Sequence, residues 1–210
     1  MKSILCYGDS NTWGTDPKTG RRLPFSARWP GVLQECLGAN FHVIEEGLGG
    51  RTTVWDDPID ERMNGKTYLA PCLQSHAPLD LVILLLGTND VKYRFSATSQ
   101  DIAFGVLSLV RMIKTPSIYP PFCGVPEVLV LIPPPVKEVG PHAQMFQGAA
   151  AKSQAFSRDF RMVFHGSGAH LMETSRLVVV SDTDGIHFQS SSHQPLGQAV
   201  AEEVRLILKT

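Results

Sequence analysis

Short apolar runs recur along the chain, and each is followed by a turn. The clearest four lie at Ile4–Tyr7, Phe41–Ile44, Leu79–Leu86 and Val128–Ile132, and a fifth, less regular run covers Ala169–Glu173. Runs of this length that lack a polar face are typical of strands covered on both sides of a parallel sheet. The pattern therefore predicts a central sheet of about five strands.

Longer segments with helical spacing lie between or after these runs. They cover Trp29–Leu37, roughly Thr98–Lys114, roughly Ala143–His165 and Gln194–Leu208. In the second segment the apolar residues form one stripe, which we expect to pack on the sheet. The alternation predicts an α/β fold with helices on both sides of a parallel sheet. No linker interrupts the 210 residues, so we expect a single domain over residues 1–210.

Two stretches are predicted to be loops. Asp16–Ser26 is rich in polar residues, Gly and Pro, and Thr115–Pro126 contains four prolines. The second loop also carries four apolar side chains, which would expose more apolar surface than a monomer normally does; these are Ile118, Tyr119, Phe122 and Val125. It is therefore a candidate contact between subunits.

Composition limits the partners. The formal net charge is -1, and the 19 Lys and Arg residues form no basic run, so nucleic acid is not an expected partner. The four cysteines are far apart and suggest no metal site or disulfide scaffold, and no cofactor is expected. The first apolar run is too short for a signal peptide and no segment is long enough to cross a membrane, so a cytoplasmic location is the default expectation.

Four short segments carry the candidate chemistry. Ser10 follows the first predicted strand, Gly47–Arg51 the second and Gly87–Asp90 the third, while Asp184–His187 precedes the last helix. Each segment alone is a common turn. In an open parallel sheet, however, ligands bind outside the carboxyl ends of the strands. Their joint placement therefore indicates a functional site.

The residue types at this edge fit nucleophilic catalysis. A serine hydroxyl needs a base, and the base needs a partner that fixes its tautomer, so Ser10, His187 and Asp184 form a candidate triad. The N–H groups of Ser10 and Gly50 and the amide of Asn89 are candidate donors to an oxyanion.

Other polar residues near these segments have expected structural or binding roles. Asp9 and Asp90 are expected to brace loops. Arg51 either binds an acidic group or pairs with Asp56 or Asp57. Two further histidines, His76 and His142, are candidates for the pocket wall.

The sequence resembles the SGNH (GDSL-type) hydrolases. Gly8-Asp9-Ser10, Gly50, Gly87-Thr88-Asn89-Asp90 and Asp184-Gly185-Ile186-His187 look like the four motif blocks of that family, in its order. Two longer strings are similar to its bacterial arylesterase and acyltransferase branch, namely Glu45 to Thr53 and Ser75 to Asp80.

The resemblance implies a flavodoxin-like three-layer α/β/α fold, a catalytic triad of Ser10, His187 and Asp184, and an oxyanion hole of Ser10, Gly50 and Asn89. It implies no cofactor, and it implies a homo-oligomer, for which an octamer is one precedent. One departure is Asn11, because Leu is common at that position in similar proteins.

We therefore expect a serine esterase that hydrolyses short-chain esters of aryl or alkyl alcohols, with acyl transfer to alcohols as an additional activity. Carbohydrate deacetylation is the nearest alternative, since Asn11 and Arg51 hint at a wetter pocket. Thioesterase or lysophospholipase activity is a further alternative, and a binding or purely structural protein is least favoured. Five residues beside the catalytic segments are candidate pocket residues: Asn11, Trp13, Leu48, Ile186 and Phe188.

Overall fold

A computed structural model of the chain describes residues 1–209. Its strands are β1 Lys2–Gly8, β2 Phe41–Gly47, β3 Leu81–Leu85, β4 Glu127–Ile132 and β5 His170–Glu173. Its α-helices are α1 Ser10–Trp13, α2 Trp29–Leu37, α3 Gly65–His76, α4 Ser99–Ile113, α5 Ala149–Gln154, α6 Phe156–Phe164 and α7 His193–Leu208. None of the helices in these described residues is long and apolar enough to cross a bilayer.

The five strands form one parallel sheet in the order β2-β1-β3-β4-β5. This is the flavodoxin-like order, and it confirms the predicted fold class. The chain leaves β1 for β2 on one side and then crosses back to β3 on the other. The carboxyl end of β1 is therefore the point at which loops from both directions meet.

The helices cover both faces of the sheet because its strands are apolar on both faces. In β3, Val82 and Leu84 belong to a core that also contains residues of α3, α4 and α6. Leu81, Ile83 and Leu85 belong to a second core with residues of α2 and α7. Successive side chains of a strand point to opposite faces, so one apolar run supplies both cores.

Two helices differ from the sequence prediction. The segment Ala143–His165 is not one helix, because turns occupy residues 143–148 and Gly148 has a φ of +77° just before α5. The chain then bends at Ala155 between α5 and α6. Helix α3 was not predicted, since it buries only four residues and contains Pro71.

The two predicted loops contain only short 3₁₀ turns besides irregular structure. In the second loop, Tyr119 is buried and donates its hydroxyl hydrogen to the carbonyl of Ile113 at 2.9 Å. Ile118 packs against the core, while Phe122 is 86% exposed and Val125 is 39% exposed. The exposed apolar surface is thus smaller than the sequence suggested, and the homo-oligomer stays a prediction.

Two buried aspartates hold the loops at the switch point. Asp9 accepts a hydrogen bond from the N–H of Asn11 at 2.9 Å and caps α1. Asp90 accepts from the N–H of Thr53 at 2.9 Å and from its hydroxyl, which ties the loop after β3 to the loop after β2. Burial raises the pKa of both Asp9 and Asp90 to about 6.

The raised pKa of Asp9 predicts a pH-dependent stability difference. Folded wild type holds this proton more tightly than the unfolded chain, so Asp9 adds stability as the pH falls through about 6 towards the ordinary value of 3.8. An asparagine does not titrate. The free energy of unfolding of Asp9→Asn, relative to wild type, should therefore fall by about 2 kcal/mol between pH of about 7.5 and about 4.5. Urea unfolding at each pH measures it, and a constant difference would contradict the shift.

Candidate active site

Ser10 is placed by the turn from β1 into α1. It is the first residue of α1, where the N–H groups of a helix have no partner within the helix. Asp9 precedes it as the cap, and Gly14 ends the helix in a left-handed conformation with a φ of +87°. One turn of helix therefore presents both the hydroxyl and the N–H of Ser10 at the carboxyl edge of the sheet.

His187 is placed by a tight loop that Asp184 organises. The Oδ1 atom of Asp184 accepts hydrogen bonds from the N–H groups of Ile186 and His187, each at 3.0 Å. Gly185 has a φ of +77°, and a Cβ there would lie 2.0 Å from the carbonyl oxygen of Lys137. Only glycine fits this position, so the loop itself requires Gly185 between Asp184 and His187.

The two segments meet in a continuous chain of hydrogen bonds. The Oγ atom of Ser10 lies 2.9 Å from Nε2 of His187, and Nδ1 of His187 lies 2.7 Å from Oδ2 of Asp184. When Nδ1 carries the proton donated to Asp184, Nε2 is the acceptor for the serine hydroxyl. This arrangement is able to remove a proton from Ser10 as the oxygen attacks a carbonyl.

Asp184 differs from the other buried carboxylates at this edge. Burial alone would raise its pKa, but the hydrogen bonds from the His187 ring and from the two backbone N–H groups outweigh that effect and lower the pKa. Asp184 is therefore ionised at neutral pH, as a partner for an imidazolium must be.

Three hydrogen-bond donors face the same region. Gly50 has a φ of +80°, and its N–H donates no hydrogen bond within residues 1–209. The amide of Asn89 donates to the carbonyl of Arg51 at 3.1 Å, which leaves its second N–H available. Together with the N–H of Ser10, these groups are able to surround an oxyanion.

These residues border a cavity of about 280 Å³. Its apolar wall comprises Met145, Phe146 and Ile186, and its polar wall comprises Thr15, Asp60, Lys92 and His142. Of the predicted pocket residues, Ile186 and His142 therefore lie where the sequence placed them.

The other predicted pocket residues lie elsewhere. Phe188 is 1% exposed and packs against His193 in the core, and Asn11 is 2% exposed. Trp13 contacts the guanidinium of Arg22, 5.3 Å from its ring centre. Leu48 lines a separate cavity of about 580 Å³. Four of the five residues that adjoin the catalytic segments in sequence therefore lie outside this cavity.

Arg51 does not pair with either of the two aspartates that the sequence suggested. It is 3% exposed, and its guanidinium lies 4.1 Å from the centre of the Tyr7 ring. It donates hydrogen bonds to the carbonyl oxygens of Gly8 and Glu46, at the ends of β1 and β2. Asp57 pairs instead with Lys92 at 3.3 Å. Arg51 thus holds two strand ends together beside the site.

The fold brings Glu46 of β2 next to Cys72 and His76, which lie one turn apart on α3. Potential metal-ligand atoms of Glu46, Cys72 and His76 lie within 4.8 Å of one another. These groups already pair among themselves, since His76 Nε2 lies 2.9 Å from a carboxylate oxygen of Glu46. Burial and the negative charge of Glu46 raise the pKa of Cys72 to about 12, so its thiol is protonated.

Sequence reasoning missed three residues of the polar wall, Thr15, Asp60 and Lys92. Lys92 is almost fully buried and pairs with Asp57 at 3.3 Å and with Asp60 at 3.4 Å. Asp60 is half exposed at the cavity. Lys92 follows the Asn89 segment closely enough to have been suspected. Met145 and Phe146 gave no signal, because they lay inside a predicted helix.

The comparisons agree with this geometry. The model of the GDSL-like lipase/acylhydrolase family matches residues 6–194. The structure is similar to an aryl esterase from M. smegmatis, with 42% identity, a TM-score of 0.91, and coverage of 99% of this chain and 100% of that one. It is also similar to Est24, a carbohydrate acetylesterase from Sinorhizobium meliloti, with 38% identity, a TM-score of 0.93, and coverage of 99% and 100%.

A lipase/acylhydrolase from Enterococcus faecalis shares the fold at 16% identity, with a TM-score of 0.70 and coverage of 98% of this chain and 96% of that one. No curated protein matched the chain. The family match covers most of the chain, and the two closer structures are esterases of matching length. The chain therefore belongs to the GDSL-like lipase/acylhydrolase family and is a carboxylic ester hydrolase.

Proposed function

We propose that the chain hydrolyses small esters through a covalent acyl-Ser10 intermediate. The hydrogen-bonded chain from Ser10 through His187 to Asp184 is the observation that carries the proposal. His187 takes the hydroxyl proton as Ser10 Oγ attacks the ester carbonyl, and Asp184 stabilises the imidazolium that forms. His187 then returns the proton to the leaving alcohol.

Deacylation repeats these steps with water as the nucleophile. Water enters beside the acyl carbonyl, and His187 removes its proton as the oxygen attacks. The bond between the acyl carbon and Ser10 Oγ then breaks, the carboxylic acid leaves, and His187 returns the proton to Oγ. The N–H groups of Ser10 and Gly50 and the amide of Asn89 bind the oxyanion in both halves of the reaction. Each such donor typically lowers the barrier by about 3 kcal/mol, because it is already oriented when the charge develops.

The cavity favours a short acyl group. Its volume of about 280 Å³ is small for a ligand site, and Ser10 shares it with the three apolar wall residues. Met145 and Phe146, together with Ile186, can bury an acetyl-sized group or the ring of an aryl alcohol. The 42% identity with the M. smegmatis aryl esterase supports the same substrate class.

Carbohydrate acetyl esters are the second candidate. The carboxylate of Asp60 is an acceptor and the ammonium of Lys92 is a donor, and both border the cavity with His142. Such groups can bind the hydroxyls that flank an acetylated position on a sugar. The similarity to Est24, a carbohydrate acetylesterase, points the same way.

Acyl transfer to alcohols is a finer part of the proposal. An acyl-Ser10 intermediate reacts with whichever nucleophile reaches it, and an apolar approach favours a small alcohol over water. Met145 and Phe146 form that approach, whereas Trp13 and Phe188 lie outside it.

Removing either member of the proposed nucleophile and base pair should nearly abolish hydrolysis. We expect Ser10→Ala and His187→Ala to lower kcat by about a thousandfold or more, because triad members act as a unit. The exposed Ser191 provides a control, and Ser191→Ala should keep full activity. A serine-directed organophosphonate should modify Ser10, and mass spectrometry that located it on another serine would refute the assignment.

The oxyanion role of Asn89 predicts a selective loss of kcat. We expect Asn89→Ala to lower kcat by about a hundredfold with little change in KM, because its amide is most useful once the oxyanion has formed. Steady-state kinetics with p-nitrophenyl acetate measures both constants. An unchanged kcat would remove Asn89 from the oxyanion hole.

The cavity size predicts the order of substrates. Among p-nitrophenyl esters of increasing chain length, kcat/KM should be highest for acetate and fall for longer acyl groups, because the apolar wall leaves room for few carbons. Acetylated xylose and cephalosporin C are the comparators. Higher kcat/KM for acetylated xylose than for the aryl acetate, lost in Asp60→Ala, would favour the carbohydrate alternative.

A further inference from the structure

Asn11 follows Ser10 in α1 but does not face the substrate cavity. It is 2% exposed, and its N–H is taken by Asp9 at 2.9 Å. The polar side chain must therefore be satisfied inside the protein, since a buried amide without partners is costly. Its partners identify its role.

Both partners lie next to His187. The Oδ1 atom of Asn11 accepts the N–H of Phe188 at 3.0 Å, and its Nδ2 donates to the carbonyl of Ile186 at 3.4 Å. The side chain thus contacts the backbone immediately before and immediately after His187. The amide pairs with this backbone as a neighbouring β-strand would, through one donor and one acceptor.

Few hydrogen bonds join the segment that carries Ser10 to the loop that carries His187. Within the described chain, three hydrogen bonds join residues 10–15 to residues 181–189. One is the Ser10–His187 hydrogen bond, and the other two are made by the side-chain amide of Asn11. Asp184 orients the His187 ring within its own loop, but it does not connect that loop to α1. Asn11 makes that connection.

Asparagine has the chemistry that this connection needs. Its amide offers a donor and an acceptor in one plane, so it satisfies a carbonyl and an N–H at the same time. A leucine of similar size offers neither, and an aspartate offers only acceptors. Asparagine in place of leucine therefore adds two hydrogen bonds between α1 and the loop of His187. Its polar side chain does not line the cavity.

We propose that Asn11 is a positioning residue that fixes the distance between Ser10 Oγ and His187 Nε2. This role rests on the proposed function of Ser10 and His187. Proton transfer requires this contact at hydrogen-bond length, and the two atoms are 177 residues apart in sequence. The Asn11 amide holds the loop of the base against the helix of the nucleophile, so the pair is preorganised before substrate binds.

The main test is Asn11→Leu, assayed with p-nitrophenyl acetate. Loss of both bonds should lower kcat about 10- to 100-fold, because small misplacements of reacting groups are costly. KM should change less than about threefold, since Asn11 does not line the cavity. The rate of inactivation by a serine-directed organophosphonate should fall in parallel with kcat.

Ser192→Ala is the matched control. Ser192 is 4% exposed, and its Oγ accepts a hydrogen bond from the N–H of Val179 at 3.0 Å. The carbonyl of Val179 also accepts a hydrogen bond from the N–H of Gln189. This change removes a hydrogen bond between the residues that flank the loop of His187, and it leaves both hydrogen bonds of Asn11 in place. Its melting temperature should fall comparably, while kcat and the inactivation rate stay within about twofold of wild type.

Asn11→Asp serves as a second variant in case Asn11→Leu fails to fold. It keeps an acceptor for the Phe188 N–H and loses the donor to Ile186, so its kcat should lie between those of wild type and Asn11→Leu. Near-wild-type kcat in folded Asn11→Leu, whatever its melting temperature, would overturn the proposal. If Asn11→Leu does not fold, near-wild-type kcat in Asn11→Asp would overturn it. A change in KM with unchanged kcat would instead make Asn11 a substrate contact.

Ser10→Ala and His187→Ala are assayed beside these variants. If they retain activity, the proposed function itself fails. If they are inactive while Asn11→Leu is fully active, only the role of Asn11 fails.

Discussion

The site depends on the position of β1 between β2 and β3. Parallel pairing with both neighbours brings the carboxyl ends of the three strands to one edge of the sheet. The segments that follow them carry Ser10, Gly50 and Asn89. The proposed nucleophile and the two proposed oxyanion donors, which come from distant parts of the chain, thus meet at this edge. The crossover from one side of β1 to the other opens the space that they share.

The electrostatic environment at this edge separates the buried carboxylates by role. Burial raises the pKa of Asp9 and Asp90 to about 6, and both accept hydrogen bonds that shape loops. Asp184 is also buried, but the His187 ring and two N–H groups lower its pKa. The same residue type therefore serves as a brace at two positions and as the partner of a base at the third, because the neighbouring donors differ.

Chemistry and substrate choice come from different parts of the chain. The proposed reacting groups follow β1 and precede α7, while much of the cavity wall comes from other segments. Asp60 lies in the loop after β2, Lys92 in the loop after β3, and Met145 in the turns before α5. The apolar wall of Met145 and Phe146 suits a small acyl or aryl group. The polar wall of Asp60 and Lys92 suits hydroxyl groups.

The sequence alone determined the strands, the sheet class and the segments that carry the site. Buried strands and catalytic turns leave local signals, since an apolar run or an Asp-Gly-Ile-His turn is constrained by its own residues. The tertiary structure decided what each exposed or polar side chain contacts. Asn11, Trp13, Leu48 and Phe188 lie near the catalytic residues in sequence but outside the cavity, whereas Asp60, Lys92, Met145 and Phe146 reach it from other loops. Loop paths depend on packing between distant segments, so local sequence does not specify which side chains share a cavity.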